Sequence, residues 1–302
     1  MTDGPRMKVG LAPPNYARWF DGAVVAEVCR HAEEAGFDSL WFGDHVAIPQ
    51  EQADVFGNAY LDVFPLLGHV AAVTERVRLG TNVLVTPYRN PVVAAKEVAT
   101  VDRLSGGRVV LGVGVGHVRG EFEALGVPFE ERGRRTDEYL QAMRVLWEQD
   151  VASYEGAWVR FRDLCPLTRP VQQPLPVLVG GDGPRSMRRA LEHGAGWAPG
   201  QGTIEQLEAK VAQLRGLADE AGTPCPAIVA RWLVHPVEDG APRPPIPHRG
   251  ELRRPRLEKA EAREQLARIA ELGVSEVIVD IPARHETYHR TIDLIAEHVL
   301  VR

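Results

Sequence analysis

Residues 77–117 read VRLGTNVLVTPYRNPVVAAKEVATVDRLSGGRVVLGVGVGH. A short β-branched apolar run (77–86) is followed by a helical pattern (91–104), a glycine turn and a second apolar run (109–116). Two parallel strands joined by a crossover helix produce this pattern, because parallel strands need a long connection. Working outward from this stretch, we count eight such units along the chain.

Eight strand–helix units in 302 residues predict a (β/α)8 TIM barrel, which needs about 250 residues plus insertions. We expect a single domain over 1–302. The predicted strands are 7–13, 38–46, 77–86, 109–116, 176–181, a short strand at 196–198, 226–234 and 274–281. The predicted helices are 22–36 (closed by a Gly36 cap), 60–74, 91–104, 134–149, 184–194, 203–221, 258–272 and 286–300.

Three segments fall outside the repeating pattern. Residues 153–162 predict a small hairpin with its turn at Glu155 and Gly156. The polar segment 117–133 follows the fourth strand and is a candidate lid. The Pro- and Arg-rich stretch 238–258 should hang over the mouth of the barrel, either as a plain surface loop or as a cover for the substrate.

Composition excludes several classes of function. A net charge of -6 with 25% charged residues gives no field that would gather nucleic acid. Cys29, Cys165 and Cys225 lie far apart and indicate neither a metal site nor a disulfide framework. We see no signal segment and no apolar membrane span, so we expect a cytoplasmic protein that does not bind a membrane.

In barrel enzymes the reactive groups follow the strands at their C-terminal ends. Asp44 and His45 come after the second predicted strand. His45 is the most plausible proton-transferring group, because imidazole changes charge near neutral pH. Asp44 could orient it or contact a cofactor. The alternative is a structural Asp-His pair that satisfies loop backbone. His117, with Glu121, could serve the same purpose from the lid or could be solvated.

Glycines directly after the fifth predicted strand indicate a phosphate site. In VLVGGDGPRSMRRAL (177–191) they precede a helix whose N-terminus attracts anions. The candidate residues are Gly180, Gly181, Gly183, Arg185 and Ser186. The alternative is that these glycines only form a tight turn. The GVGVG run of the fourth strand is a weaker signal, because it lies inside a strand, and its glycines could equally serve close packing.

Other catalytic arrangements are missing from the sequence. There is no GxSxG elbow, no HExxH motif and no paired-carboxylate pattern. Acyl transfer, metal-assisted hydrolysis and glycoside hydrolysis therefore have little support.

Taken together, four segments resemble the luciferase-like monooxygenase superfamily, most of all its branch that uses coenzyme F420. They read EEAGFDSLWFGDH, VRLGTNVLVTPYRNPVVAAKEVATVDRLSGGRVVLGVGVGH, EFEALGVPFEERGRRTDEYLQAMRVLW and PVLVGGDGPRSMRRALEHGAGW. The similarity runs from about 7 to 235 and resumes in AELGVSEVIVDIP. These motifs specify the superfamily more strongly than the cofactor.

The resemblance implies a role for several matching positions. Asp44 and His45 would contact the deazaflavin ring or the substrate, with His45 as acid or base. A non-prolyl cis peptide bond would fall at Asn82-Val83 and back the ring. Gly180 and Gly181 match the phosphate-binding backbone of the family, with Gly183, Arg185 and Ser186 close by. Val115, Gly116 and His117, at the end of the fourth strand, are further candidate contacts of the cofactor. Some F420-dependent dehydrogenases carry Glu where this chain has His117, which leaves the direction of hydride transfer open.

The expected function is an F420-dependent oxidoreductase that transfers a hydride between C5 of the deazaflavin and a small organic substrate, with His45 as proton donor or acceptor. An FMN-dependent monooxygenase is the first alternative, and a non-catalytic cofactor-binding protein is the second. The resemblance also implies a homodimer, because family members commonly pair through helices two and three. The small-residue face of PVVAAKEVATVDRL (91–104) suits such packing, although the same residues would pack equally well on the barrel.

Overall fold

The computed structural model describes residues 6–15, 21–53, 59–240, 256–280 and 288–300. Its strands are β1 (Lys8–Ala12), β2 (Ser39–Phe42), β3 (Arg78–Thr81), β4 (Leu84–Val85), β5 (Val109–Gly114), β6 (Ala152–Glu155), β7 (Arg160–Leu164), β8 (Val177–Gly180), β9 (Gly196–Ala198), β10 (Ala227–Trp232), β11 (His235–Pro236), β12 (Arg256–Leu257) and β13 (Glu276–Asp280). Its helices are α1 (Gly22–Ala35), α2 (Val63–Val73), α3 (Pro91–Leu104), α4 (Arg119–Ala124), α5 (Arg132–Glu148), α6 (Pro184–His193), α7 (Ile204–Ala221), α8 (Lys259–Glu271) and α9 (Tyr288–Val299).

Eight parallel strands of the described residues close into a barrel. Around the ring, β1 pairs with β2, then come β3, β5, β8, β9, β10 and β13, and β13 pairs back to β1. The short β4 continues the third strand and also pairs with β5. Helices connect the strands on the outside. This arrangement confirms the predicted (β/α)8 barrel.

Local sequence signals explain where several helices begin and end. The side chain of Asp21 accepts a hydrogen bond from the Ala23 N–H (2.8 Å) at the start of α1. Gly36 ends that helix with a φ of 103°, a left-handed conformation that favours glycine, which confirms the predicted cap. Asn90 caps α3, and Pro91 occupies its first turn. The observed bounds of α3 match the predicted helix at 91–104.

The interior of the barrel is filled by side chains from alternate strand positions. Its buried residues are Trp41, Val110, Leu178, Val229 and Ile278. Gly80 lies against the Trp41 indole, where a Cβ atom would come within 2.1 Å of Cε3. A glycine is therefore required opposite the largest side chain of this layer. The barrel is a packed core below its mouth, and barrel enzymes form their sites at the C-terminal ends of the strands.

Of the predicted irregular segments, the hairpin is confirmed, and the role of 117–133 as a lid stays a prediction. The hairpin expected at 153–162 is present as the antiparallel pair β6 and β7. The polar segment 117–133 contains the short helix α4 and a 3-10 turn at Phe129–Glu131. Of the Pro- and Arg-rich stretch 238–258, residues 241–255 lie outside the described residues. The strands β11 and β12 on either side of it pair in parallel.

One predicted strand differs from the structure. The run 77–86 is divided, because pairing is interrupted at Asn82 and Val83 between β3 and β4. No helix in the described part of the chain is long and apolar enough to cross a membrane.

Candidate active site

The C-terminal ends of β2, β3, β5 and β8 meet at one side of the barrel mouth. The peptide bond between Asn82 and Val83 is cis, as the resemblance implied. The Val83 side chain reaches both neighbouring strands: a Cβ atom on Gly114 would lie 2.4 Å from Val83 Cγ2, and one on Gly180 would lie 2.7 Å from Val83 Cγ1. These two glycines make room for Val83, so close packing accounts for their small size.

His45 lies at this mouth and is held by Glu121. The Nδ1 atom of His45 is 2.9 Å from Oε2 of Glu121. The His45 side chain is 15% exposed, whereas that of Glu121 is fully buried. The ring also makes edge contacts with Tyr60, at 4.9 Å between ring centroids, and with His117, at 6.3 Å. The imidazole is thus oriented by a buried carboxylate on α4.

Glu121 accepts hydrogen bonds from three further donors. Its Oε1 accepts from the backbone N–H groups of Val46 (2.6 Å) and Ala47 (3.1 Å). Its Oε2 also accepts from the Tyr88 hydroxyl (2.9 Å). Burial alone would raise the pKa of Glu121, but the hydrogen bonds from His45 and the backbone lower it below its usual range. Burial and the charge of Glu121 raise the pKa of Tyr88, which therefore keeps its proton.

Sequence reasoning associated Glu121 with His117, and the structure places it on His45 instead. His117 is exposed at the start of the segment that carries α4. Desolvation by its neighbours, followed by the proximity of His45, lowers the pKa of His117. His117 is therefore a neutral neighbour of His45 at pH 7.

Asp44 does not orient His45. Its carboxylate forms a two-pronged ion pair with Arg89, at 2.6 and 2.8 Å, and accepts a hydrogen bond from the Val85 N–H (3.0 Å). The Asp44 side chain is only 1% exposed. Burial alone would lower the pKa of Arg89, but its bonds to Asp44 raise it. Asp44 thus ties the loop after β2 to the end of the third barrel strand, and Arg89 is a residue that the sequence reasoning missed.

Of the GVGVG glycines, Gly116 also serves packing. It has a φ of 77°, and a Cβ atom there would come within 2.6 Å of Val85 and 2.9 Å of Phe122. Phe122 is fully buried and anchors α4 against Val85 and Tyr88. The turn at Gly116 therefore places α4, and with it Glu121, over the mouth. The predicted cofactor contacts of Val115, Gly116 and His117 remain predictions.

The glycine segment after β8 has fewer open donors than the sequence suggested. The Gly181 N–H donates to the Ala198 carbonyl (3.1 Å) inside the barrel sheet. The Ser186 hydroxyl and N–H both donate to the Gly183 carbonyl, at 2.7 and 2.9 Å. Gly181 and Ser186 are therefore already occupied as donors, because tertiary pairing and the first helical turn use them.

The remaining donors lie at the N-terminus of α6. Gly183 precedes this helix and provides no side-chain cap, whereas side chains cap the N-termini of α1, α2, α3 and α7. The N–H groups of Gly183 and Arg185 have no acceptor within the described residues. A Cβ atom on Gly183 would meet nothing within 4 Å. An uncapped, open helix N-terminus is suited to a phosphate group.

A second ion pair at the mouth was also missed. Arg231 donates to both oxygens of Asp280, at 2.8 and 2.9 Å. Asp280 ends β13 and its side chain is only 4% exposed. The sequence carries a signal for this pair, because Arg231 interrupts the apolar strand β10 and Asp280 follows the apolar run of β13. Among the residues that the structure describes, no group of three or more His, Cys, Asp or Glu side chains is arranged to bind a metal ion.

The family model described as luciferase-like monooxygenase matches residues 8–240. An uncharacterised protein of Mycobacterium tuberculosis is 34% identical over 277 residues, which are 87% of this chain and 89% of that protein. The F420-dependent glucose-6-phosphate dehydrogenase of Kineococcus radiotolerans is 35% identical over 200 residues, which are 65% of this chain and 57% of that enzyme.

Two further comparisons involve monooxygenases. The FMNH(2)-dependent dimethylsulfone monooxygenase of Pseudomonas putida is 34% identical over 155 residues, which are 50% of this chain and 42% of that enzyme. The crystal structure of the monooxygenase RslO1 from Streptomyces bottropensis superposes with a TM-score of 0.81 at 23% identity and covers 97% of this chain and 99% of that one. The latter likeness shows the shared fold.

Proposed function

Because this chain belongs to the luciferase-like monooxygenase family, we propose that it is an oxidoreductase that uses coenzyme F420 to move a hydride to or from a small organic substrate. His45 exchanges the accompanying proton. The observation that carries this proposal is the imidazole of His45, held at the barrel mouth by the buried Glu121 carboxylate.

The described residues fit a flat, phosphate-bearing cofactor. The phosphate would bind at the open N-terminus of α6, to the N–H groups of Gly183 and Arg185 and to the Arg185 side chain. The ring would lie beside Asn82 and Val83, against the Val83 side chain that Gly114 and Gly180 accommodate. Bound there, F420 would supply a C5 carbon that accepts or gives up a hydride.

The chain itself handles the proton. In the oxidation of an alcohol, the substrate carbon loses a hydride while its hydroxyl group loses a proton, which the imidazole of His45 accepts. In the reduction of an unsaturated substrate, a carbon gains a hydride, and the protonated imidazole of His45 donates the accompanying proton. The contribution of a positioned acid or base to such a step is about 10²–10⁴-fold in rate.

An FMN-dependent monooxygenase is the second candidate. The Pseudomonas putida relative supports it, because its name states dependence on FMNH(2). The Kineococcus radiotolerans relative supports F420, over a longer part of this chain. Both cofactors carry a phosphate, so the α6 N-terminus fits either one. The preference for F420 rests on the relatives and on the sequence resemblance.

A titration of the whole chain with F420 and, separately, with FMN tests the proposal. We expect F420 fluorescence to change on binding and to saturate at one cofactor per chain, with weaker binding of FMN. Tight binding of FMN with no binding of F420 would replace our proposal by the monooxygenase. Binding of F420 without turnover of any alcohol or unsaturated substrate would favour the non-catalytic alternative.

We also propose a homodimer built on the outer faces of α2 and α3. The small residues Ala94, Ala95 and Ala99 of α3 are buried within the chain and do not form this surface. On the outer face of α3, Val93 is 53% exposed and Leu104 is 68% exposed. Exposed apolar side chains on one helical face favour association with a second copy of the chain. Light scattering of the protein in solution tests this: a monomer at all concentrations would contradict it.

A further inference from the structure

Both carboxylate oxygens of Glu121 accept hydrogen bonds within the barrel mouth. Its Oε1 faces two backbone N–H groups, and its Oε2 faces His45 Nδ1 and the Tyr88 hydroxyl. We propose that Glu121 is a positioning residue that fixes the proton of His45 on Nδ1, so that Nε2 is the nitrogen that exchanges a proton with the substrate. The assignment of Nε2 to catalysis rests on the proposed function, whereas the position of the proton does not.

Two backbone N–H groups determine the state of the Glu121 carboxylate. The N–H groups of Val46 and Ala47 can only donate, so Oε1 of Glu121 must accept and has no place for a proton of its own. The same hydrogen bonds lower the pKa of Glu121, which keeps the carboxylate ionised at neutral pH. An ionised carboxylate is only an acceptor.

His45 Nδ1 must therefore be the donor in its contact with Oε2. A neutral imidazole carries one proton, so a proton on Nδ1 leaves the lone pair on Nε2. The charged imidazole that forms on proton uptake carries a second proton on Nε2 and keeps its bond to Glu121. Both states of His45 thus use the same ring orientation, and only Nε2 changes.

The fold gives Glu121 little freedom to move. It lies on α4 next to Phe122, which is fully buried, and near Val118, which is 2% exposed. Its partners belong to the loop after β2 and to the turn after β4. Glu121 therefore joins three separate strand ends, and the tautomer of His45 depends on their assembly.

The Glu121→Gln variant makes a definite prediction for the ring. The amide has one acceptor and one donor end, and its oxygen is needed by the two backbone N–H groups, which cannot adapt. The amide N–H₂ then faces Nδ1, which must accept, so the neutral ring changes to the tautomer with its proton on Nε2. Nitrogen-15 NMR of the histidine-labelled whole chain, without cofactor, measures the tautomer directly.

We expect the Nδ1–H tautomer in the wild-type chain and in Tyr88→Phe, which keeps the carboxylate, and the Nε2–H tautomer in Glu121→Gln. A wild-type ring with its proton on Nε2, or a Glu121→Gln ring identical to the wild type, would overturn the proposal. If Glu121→Gln fails to fold, the wild-type spectrum still decides it.

Turnover separates this inference from the proposed function. We expect Glu121→Gln to lower kcat by about 10²-fold, because Nε2 no longer presents a lone pair. The matched control is Glu123→Gln, an exposed change on the same helix that should leave both kcat and the spectrum unchanged. If the tautomers follow expectation but His45→Ala retains full turnover, the proposed proton transfer is wrong and the positioning by Glu121 stands.

Discussion

His45 Nδ1 lies 2.9 Å from Oε2 of Glu121, although 76 positions separate the two residues in the chain. The contact joins the loop after β2 to the helix that follows β5. It gives the barrel mouth a histidine whose orientation is set by a buried charge. The proposed chemistry depends on this pair.

His45→Ala should lower kcat by about 10²–10⁴-fold while the cofactor still binds, because the proton loses its acceptor and the phosphate site is untouched. Steady-state kinetics together with a cofactor titration measures both quantities. His69→Ala is the control, since that ring lies on α2 outside the mouth and contacts the Gly22 carbonyl. Full turnover in His45→Ala would remove the residue from the mechanism.

Arg185→Glu should weaken binding of a phosphate-bearing cofactor by about 10- to 100-fold, because a charge-assisted hydrogen bond worth ~1.5–3 kcal/mol is replaced by repulsion. Arg188→Glu makes the same change in net charge one turn further along α6. It should have a clearly smaller effect, since only Arg185 lies in the first turn. Equal effects of the two variants would argue against a phosphate at this helix terminus.

Arg89→Met should lower the free energy of unfolding by about 3–5 kcal/mol, because it leaves the Asp44 carboxylate buried without its cation. Chemical denaturation measures this loss. The control is Asp62→Asn, which breaks the second, more exposed contact of Arg89 and keeps a good N-cap residue for α2. Asp62→Asn should lower the free energy of unfolding by less than about 1 kcal/mol. A loss of unfolding free energy in Arg89→Met no larger than that in Asp62→Asn would show that Asp44 is protonated or solvated.

Glu33→Gln should change how stability depends on pH. Burial alone would raise the pKa of Glu33, but the N–H groups of residues 75–77 lower it. Because the pKa of Glu33 is lower in the folded chain than in the unfolded chain, its carboxylate adds stability at pH values above the unfolded pKa of about 4.3. This stability is lost as the pH falls through the folded pKa. The gap in unfolding free energy between wild type and Glu33→Gln should be constant near neutrality.

That gap should close in acid. Urea denaturation at a series of pH values from 7 downward measures it. Glu34→Gln, which changes the neighbouring exposed carboxylate, is the control. A gap for Glu33→Gln that persists unchanged through the acid range would contradict the role of the carboxylate charge.

Much of the fold follows from the sequence because its signals are local. The helix at 91–104 was predicted with its observed bounds from its apolar spacing, a pattern that acts within a few residues, and in the structure Asn90 and Pro91 begin it. The irregular backbone at Asn82 and Val83 could be predicted only from the family resemblance, because β-branched residues on both sides continue the pattern of a strand.

The site was predicted less completely. The sequence placed His45, Asn82, Val83 and Gly183 at strand ends, which follows from the barrel pattern. It did not reveal that Asp44 pairs with Arg89, that Glu121 holds His45, or that Gly181 and Ser186 donate to backbone carbonyls.

The sequence by itself thus determined the barrel, its order of units and the strand ends where chemistry can occur. The tertiary structure alone decided which charged groups meet there. The physical reason is the range of the interactions: periodicity and caps act over one helical turn, whereas a buried carboxylate must be matched by whichever donors the closed barrel brings to it.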